Sequence, residues 1–406
     1  MPTLLLLIQG EISLKKEPRP PFPFGARLAA DTRFFVSRSK GVEAGMMRFC
    51  RVAANIFYVM LLAVVVCLPA GAIAAPGQVI RIGVASAGIG GRPYCALSYV
   101  CVAHQQGLLE KEFAPDGTTI EWHFYSGAGP AVNEALAAGQ LDFAWQGDLP
   151  SIVARSIGLR TRLLMAAESR LDYYIAVPEA SGVHVIGDLR GKRLATFNGT
   201  NLQTVGTRIL ESEGLSVHDV QIVNLDPATS LAALAAGQID AALLSFWGFG
   251  LRDAGKIRFI YSTASHSPKL TAQAALLVTQ AFADAHPDIV DRVVAVCLRA
   301  ARWSSDDQNR AALYAIFAKT GYPATFFADA LGGHDLKIQN NPLFDAFTEQ
   351  QYRDVAALAL RLGLIRQPIT VDDWIDPAPL QKALAAQGLA HFWPYFAADG
   401  TTEMHG

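Results

Sequence analysis

A chain of 406 residues that is 51% hydrophobic and 17% charged has room for two or three domains and a large core. Its net charge of −2 leaves no basic stripe for neutralising phosphates, which excludes nucleic acid as a partner. The same composition excludes a disordered chain.

Residues 1–46 read as an extension outside the mature protein. They hold an apolar patch at Leu4–Ile8, then Lys15-Lys16-Glu17-Pro18-Arg19-Pro20-Pro21 and a basic, unpatterned run to Lys40. A second start stands at Met46 or Met47. Residues 47–74 then have the order of a signal peptide: Arg48 and Arg51, the uncharged run Ile56–Leu68, and the small-x-small Ala72-Ile73-Ala74. That run is short for a membrane anchor, which needs about 20 residues. Val66 is larger than the residue a lipoprotein site wants before its cysteine, here Cys67. The expectation is a periplasmic protein that begins near Ala75 after cleavage.

Export removes Cys50 and Cys67 and leaves Cys95, Cys101 and Cys297. Cys297 falls in a run of helical apolar spacing and reads as a small buried hydrophobe. Cys95 and Cys101 are close enough to pair in an oxidising compartment, but on one regular helix a six-residue offset would aim them at different faces. Both outcomes stay open. Three cysteines without paired histidines make a poor zinc site.

The mature chain opens with a strand over Val79–Ala85 and the small-residue loop Ser86-Ala87-Gly88-Ile89-Gly90-Gly91. The loop lacks the third glycine of a dinucleotide fingerprint and the Gly-Lys-Ser/Thr ending of a P-loop. A helix ends near Gly107-Leu108-Leu109-Glu110, and a strand spans Thr119–Tyr125. Then comes the first of two matching units: Ala135–Asp142 reads ALAAGQLD and Ala233–Asp240 reads ALAAGQID, 98 residues apart. In each, an Ala/Leu helix is stopped by a glycine, and an Asp opens a short apolar strand. Pro130 and Pro227 sit where a first helical turn tolerates proline. Such a period suits two similar α/β lobes rather than a solenoid.

Ligands of open α/β sheets bind beyond the carboxyl ends of strands. Those ends carry Gln146-Gly147-Asp148-Leu149-Pro150 in the first unit and Ser245-Phe246-Trp247 in the second. The loop Ser126-Gly127-Ala128-Gly129-Pro130 opens the first repeated helix and is the leading anion-site candidate, because N–H groups at a helix N-terminus lack partners and the dipole adds positive charge. Ser126 is read equally as a ligand donor and as an N-cap. Asp226 caps the second repeated helix with its own carboxylate, so any anion preference belongs to the first lobe. Asn198-Gly199-Thr200-Asn201 starts another helix at a candidate contact. A strand at Tyr173–Val177 is expected to leave the first lobe, one at Ala272–Val278 to return to it, and helices from Asp288 to Gln387 to pack around it.

The series Gly107-Leu108-Leu109-Glu110, Ala135 to Asp142, Gly147-Asp148-Leu149-Pro150, Asp188-Leu189-Arg190-Gly191-Lys192, Gly214-Leu215 and Ala236 to Ala241 resembles periplasmic solute-binding proteins of the nitrate/sulfonate/taurine ABC-importer family over about residues 79–385. The resemblance implies a two-lobed type II periplasmic binding protein fold, each lobe a mixed sheet flanked by helices, joined by two crossing strands. Lobe 1 would comprise 75–172 and 272–406, and lobe 2 would comprise 173–271. It implies a monomer that captures a small anionic organic solute, an aliphatic sulfonate or nitrate-like ion. Its partners would be the permease and ATPase subunits of an importer in the inner membrane. The resemblance puts Ser86, Gly88, Ser126, Gly127, Gly147, Asp148, Asn198, Thr200 and Trp247 on the cleft. The residues alone read Asp148 as the cap of a helix starting at Pro150, since a carboxylate beside an anion is repulsive unless a cation or a helix end holds it. Trp247 is either a flat wall for an apolar tail or core.

Neither a Gly-x-Ser-x-Gly elbow nor a His-Glu-x-x-His helix occurs, and the nine histidines are scattered. Catalytic residues, metal and cofactor are therefore not expected. The alternatives are an enzyme or a thiamine-pyrimidine-type binder on the same fold. A ligand-sensing regulator would need a DNA-binding helical domain in front, which residues 1–78 do not provide.

Overall fold

The computed structural model describes residues 77–404, so the expected extension, the signal peptide and its cysteines lie outside the described residues. The chain lays down β1 (Val79–Val84), β2 (Thr119–Phe124), β3 (Phe143–Gly147), β4 (Thr161–Leu171), β5 (Tyr174–Pro178), β6 (Arg193–Thr196), β7 (Gln221–Asn224), β8 (Ala241–Leu244), β9 (Ile257–Ser262) and β10 (Ala272–Thr279). These make two five-stranded sheets, in order β2-β1-β3-β10-β4 and β7-β6-β8-β5-β9. β1 runs parallel to β2 and β3, and β10 runs antiparallel to β3 and β4. The second sheet repeats that pattern around β6 and β5. The chain passes between sheets twice, from β4 to β5 and from β9 to β10. The described residues thus form the expected α/β architecture of two mixed sheets flanked by helices.

The repeated ALAAGQ unit has one structural job done twice. The helices Ala128–Ala137 and Pro227–Ala235 both end in a glycine of left-handed backbone, Gly139 and Gly237, each at φ 68°. The Gln140 N–H reaches back to the Ala135 carbonyl and the Gly139 N–H to Leu136; Gln238 and Gly237 bond Ala233 and Leu234 in the same way. This satisfies carbonyls that a helix end leaves open, and only glycine adopts the turn cheaply. The aspartate then locks the strand it opens to the parallel strand beside it. Asp142 accepts from Arg81 N (2.9 Å), Nε (3.1 Å) and Nη2 (2.8 Å), and Asp240 accepts from the same three groups of Arg193. Both aspartates sit at the start of a strand, so the repeated motif braces the end of each sheet opposite the strand termini that carry ligand-facing loops.

One strand carries no expectation from the sequence. β4 contains Leu163-Leu164-Met165-Ala166-Ala167, residue types that favour helix over strand in isolation. Its pairing along the whole of β10 and the burial of Leu163, Leu164 and Met165 override that preference. The tail helices pack on the first sheet and also reach the second. Phe327 of the helix Ala324–Leu331 lies 5.0 Å from Phe246, centroid to centroid, and Phe326 lies 6.0 Å from Phe249. Arg252 pairs with Asp329 across the same junction.

Cys95 and Cys101 form a disulfide with Cα atoms 5.4 Å apart. The two residues do not share a helix. Ser98 caps a helix that begins only at Tyr99, and Leu97 turns the chain with φ 64°. Cys95 therefore folds back over the first turn, and the offset argument does not apply. Among Cys95, Cys101 and Cys297, alkylation of the unfolded, unreduced protein should label Cys297 alone, read by peptide mass mapping; labelling at all three would remove the bridge.

Candidate functional site

The carboxyl end of the central strand β3 meets the start of the helix that follows β6. Gly147 ends β3 and is the N-cap of the helix Asp148–Ser156. Thr200 caps the helix Asn201–Ser212, taking the Leu202 N–H at 3.3 Å while its hydroxyl donates to the Phe197 carbonyl at 2.6 Å. These elements belong to different sheets, and they meet. A Cβ placed on Gly147 would lie 3.1 Å from Asn201 Nδ2, and one on Gly199 would lie 3.0 Å from Pro130 Cγ. Two glycines, one per lobe, leave room for the opposite lobe's first helical turn.

The first-lobe side of this meeting point is rigidly built. Gly129 lets the helix Ala128–Ala137 pack against Pro150, to which an added Cβ would come within 2.3 Å. Gln146 Nε2 donates to Asn133 Oδ1 at 3.1 Å, and Asn133 Nδ2 donates to the Pro150 carbonyl at 2.8 Å. The Ser126–Gly127 turn stands exposed at the N-terminus of the helix Ala128–Ala137. Gly127 is the N-cap, and no side chain caps the helix. The capping role considered for Ser126 therefore falls to a residue without a side chain. On the second lobe, Asp226 accepts from the N–H groups of Ala228 and Thr229, so that helix end is filled from within.

The other residues divide plainly. Ser86 is half-buried at the end of β1. Gly88 is buried against the chain itself: Ile89 N–H bonds the Thr320 carbonyl at 2.8 Å, and a Cβ on Gly88 would sit 2.6 Å from that oxygen. Asn198 is exposed, its N–H taken by Asn224 Oδ1 at 2.9 Å. Trp247 is half-buried beside Tyr173 and Phe246, with ring centroids 6.4 and 5.4 Å away, and its indole N–H has no partner. Phe246 in turn meets Tyr322 at 5.2 Å, so the turn after Thr320 joins the rim from the C-terminal tail.

Asp148 corrects the expectation of a cap for a helix at Pro150. The helix starts at Asp148 itself, and the carboxylate takes the adjacent Leu149 N–H, at 2.6 Å on Oδ1. The side chain is fully buried and Oδ2 has no partner. Burial raises its pKa to about 6, against the opposing pull of the Arg208 guanidinium. Arg208 comes from the other lobe's helix and donates to the carbonyls of Lys269 (2.6 Å) and Thr271 (2.9 Å) and to Gln351 Oε1 (2.8 Å). Its charge favours the ionised form of the Asp148 carboxylate that burial disfavours.

Tyr322 and Arg208 were not singled out by sequence reasoning, whereas Gly199, Asn201 and Pro130 lie in the two loops it named as candidate contacts. The Asn198–Asn201 run pointed to Gly199 and Asn201, since a glycine before a helix start marks close approach. Arg208 lay mid-helix with no local signal. A separate cavity of about 400 Å³ opens away from the cleft, floored by Leu164, Leu343, Phe344 and Leu380. Among the described residues, no group of three or more His, Cys, Asp or Glu side chains is placed to hold a metal ion.

Residues 113–311 match the family model described as NMT1/THI5 like. The chain is similar to a Bacillus subtilis (strain 168) protein named for binding aliphatic sulfonates, 27% identical over 305 residues, which cover 71% of this chain and 86% of that protein. It is also similar to the taurine-binding periplasmic protein of Escherichia coli (strain K12), 27% identical over 47% of this chain and 58% of that protein. A crystal structure described as a periplasmic sulfonate-binding protein from Methylobacillus flagellatus KT matches with TM-score 0.70 and 27% identity, covering 79% of this chain and 98% of that one.

Proposed function

We infer that this chain, whose residues 113–311 match the family model described as NMT1/THI5 like, is the extracytoplasmic solute-binding component of an ABC importer, and that it captures a small anionic organic solute between its lobes. The observation that carries this reading is the meeting of helix N-termini from both lobes at Gly147–Asn201 and Pro130–Gly199. Partly uncompensated N–H groups aimed into one gap favour an anion without any basic side chain. Ser126 and Gly127 hold the polar head, and Thr200 and Asn198 line the far side. Gly147 and Ser86 leave space, and Trp247 covers an apolar tail. An aliphatic sulfonate fits that division, as it does the names of the relatives; a nitrate-like ion would use the polar half alone.

In this reading 75–172 with 272–406 form lobe 1 and 173–271 form lobe 2, hinged at the two crossings. The protein is exported behind the 47–74 signal and works as a monomer that delivers solute to a membrane permease driven by an ATPase. It carries its solute without converting it. Calorimetric titration with methanesulfonate, pentanesulfonate, taurine and nitrate should find saturable one-to-one binding for at least one, with the solute recovered unchanged. Gly127→Val should lower affinity at least tenfold, because a branched side chain displaces the head group from one or two charge-assisted bonds of about 1.5–3 kcal/mol each. Trp247→Ala should weaken pentanesulfonate more than methanesulfonate. Binding equal to the parent in both folded variants would remove the cleft from these residues, and turnover of the solute would make the protein an enzyme.

A further inference from the structure

The loop after β1 folds back on itself and presents a cation at the rim. Gly90 and Gly91, at φ 68° and 77°, turn the chain, and the Arg92 carbonyl closes the turn by accepting the N–H groups of Gly88 at 2.9 Å and Tyr94 at 2.7 Å. The Arg92 side chain lies over the C-terminal turn at Gly321, where an added Cβ would stand 2.8 Å from Nη1 and 3.4 Å from Cζ. Tyr322, the next residue, packs on Phe246 and Phe246 on Trp247, with ring centroids 5.2 and 5.4 Å apart. Arg92, Tyr322, Phe246 and Trp247 thus follow one another along the rim. Arg81, Arg193 and Arg252 each pair with an aspartate, whereas Arg92 is exposed and its guanidinium meets no carboxylate among the described residues. The indole N–H of Trp247 also lacks a partner. Both groups donate and cannot accept. A solute end that accepts would complete this line, and the two oxygens of a carboxylate match the guanidinium fork.

We propose that Arg92 is a specificity-determining residue, which selects sulfonates carrying a second anionic group at the far end of the chain and disfavours those ending in an ammonium. The inference rests on the reading in which Ser126 and Gly127 hold the head and Trp247 covers the solute chain. β1 and β2 end side by side, with Val84 opposite Phe124, so the loop bearing Arg92 leaves the sheet next to the turn bearing Ser126 and Gly127. Lobe 1 then holds both charges of a dianion, one at the N–H groups of a helix start and one at the guanidinium. The helix end contributes a partial charge and the guanidinium a full one. A carboxylate end gains a charge-assisted bidentate pair, a methyl end gains apolar cover alone, and an ammonium end meets a like charge. Because Arg92 is exposed, these preferences weaken as salt is added.

The probes are sulfopropionate, propanesulfonate and homotaurine, sulfonates of equal carbon count that end in a carboxylate, a methyl group and an ammonium. Calorimetric titration of the parent at neutral pH and low salt should rank them in that order, with sulfopropionate bound about tenfold more tightly than propanesulfonate. The gap should narrow as salt rises. Arg92→Ala should erase most of the gap, and Arg92→Lys should keep part of it, because an ammonium holds the charge without the fork. Arg92→Glu should rank homotaurine above sulfopropionate. Circular dichroism should find all three variants folded, since the side chain they replace is exposed. A parent that binds homotaurine most tightly, or a parental ranking retained in both Arg92→Ala and Arg92→Glu, overturns this proposal and leaves the sulfonate reading standing. Binding of none of the three probes to the parent overturns both.

Discussion

Gly147→Leu is expected to abolish tight solute capture while leaving both lobes folded. The backbone at Gly147 has φ −64° and ψ 167°, an extended conformation open to any residue, so the substitution strains nothing locally. What it meets is the other lobe: even a Cβ would stand 3.1 Å from Asn201 Nδ2 and 3.3 Å from its Cγ. Alanine fits with a shift of a few tenths of an ångström, but leucine must hold the helix Asn201–Ser212 away. Overpacking of this kind costs about 1–3 kcal/mol, felt only in the closed state, which is a tenfold to hundredfold loss of affinity. Thermal unfolding should move little. Affinity equal to the parent in Gly147→Leu would mean that the lobes do not close at this point.

The second large effect lies at the opposite end of the sheets and concerns stability. Asp142→Ala removes three hydrogen bonds to Arg81 at once, from a side chain only 7% exposed. The Arg81 N–H and guanidinium are left to find water at the start of β1. Asp240→Ala removes the equivalent three bonds to Arg193, but Asp240 is 30% exposed. Loss of a partner for charge-assisted bonds costs about 3 kcal/mol where the site is shut off from water and about 1 kcal/mol where solvent replaces it. Urea unfolding should therefore rank Asp142→Ala well below Asp240→Ala, with the parent most stable. Equal midpoints for the two variants would show that burial does not govern this pair of brackets.

These contrasts explain how far a linear reading reaches. The ALAAGQ units were legible because helix propensity, a left-handed glycine and an opening aspartate are local features, and both lobes express them in the same order. The arginines that the aspartates bind, Arg81 and Arg193, lie 61 and 47 residues earlier, and nothing near them announces the partnership. β4 was invisible for a related reason. Its Leu-Met-Ala sequence favours helix, and only β10, laid down 100 residues later, makes it a strand.

The cleft divides along the same line. Gly147, Gly127, Thr200 and Trp247 follow strands or open helices, positions where an α/β sheet presents its ligand-facing loops, and the sequence marks them. Gly88 sits in just such a loop, yet its missing side chain makes room for the Thr320 carbonyl of the tail, a neighbour 232 residues away. Asp148 reads as a cap from its neighbours in sequence, while its surroundings are set by Glu168, Arg208 and Tyr352 from three separate elements. Local chemistry identifies the rim of the site, and long-range packing decides the charge beneath it.

The clamshell itself is tested most directly by small-angle scattering at pH 8, with and without a saturating concentration of whichever solute calorimetry shows to bind. Closure of one lobe on the other predicts a smaller radius of gyration on saturation in the parent and no change in Gly147→Leu at the same solute concentration. A bound solute that leaves the parent's radius unchanged would contradict capture between two closing lobes.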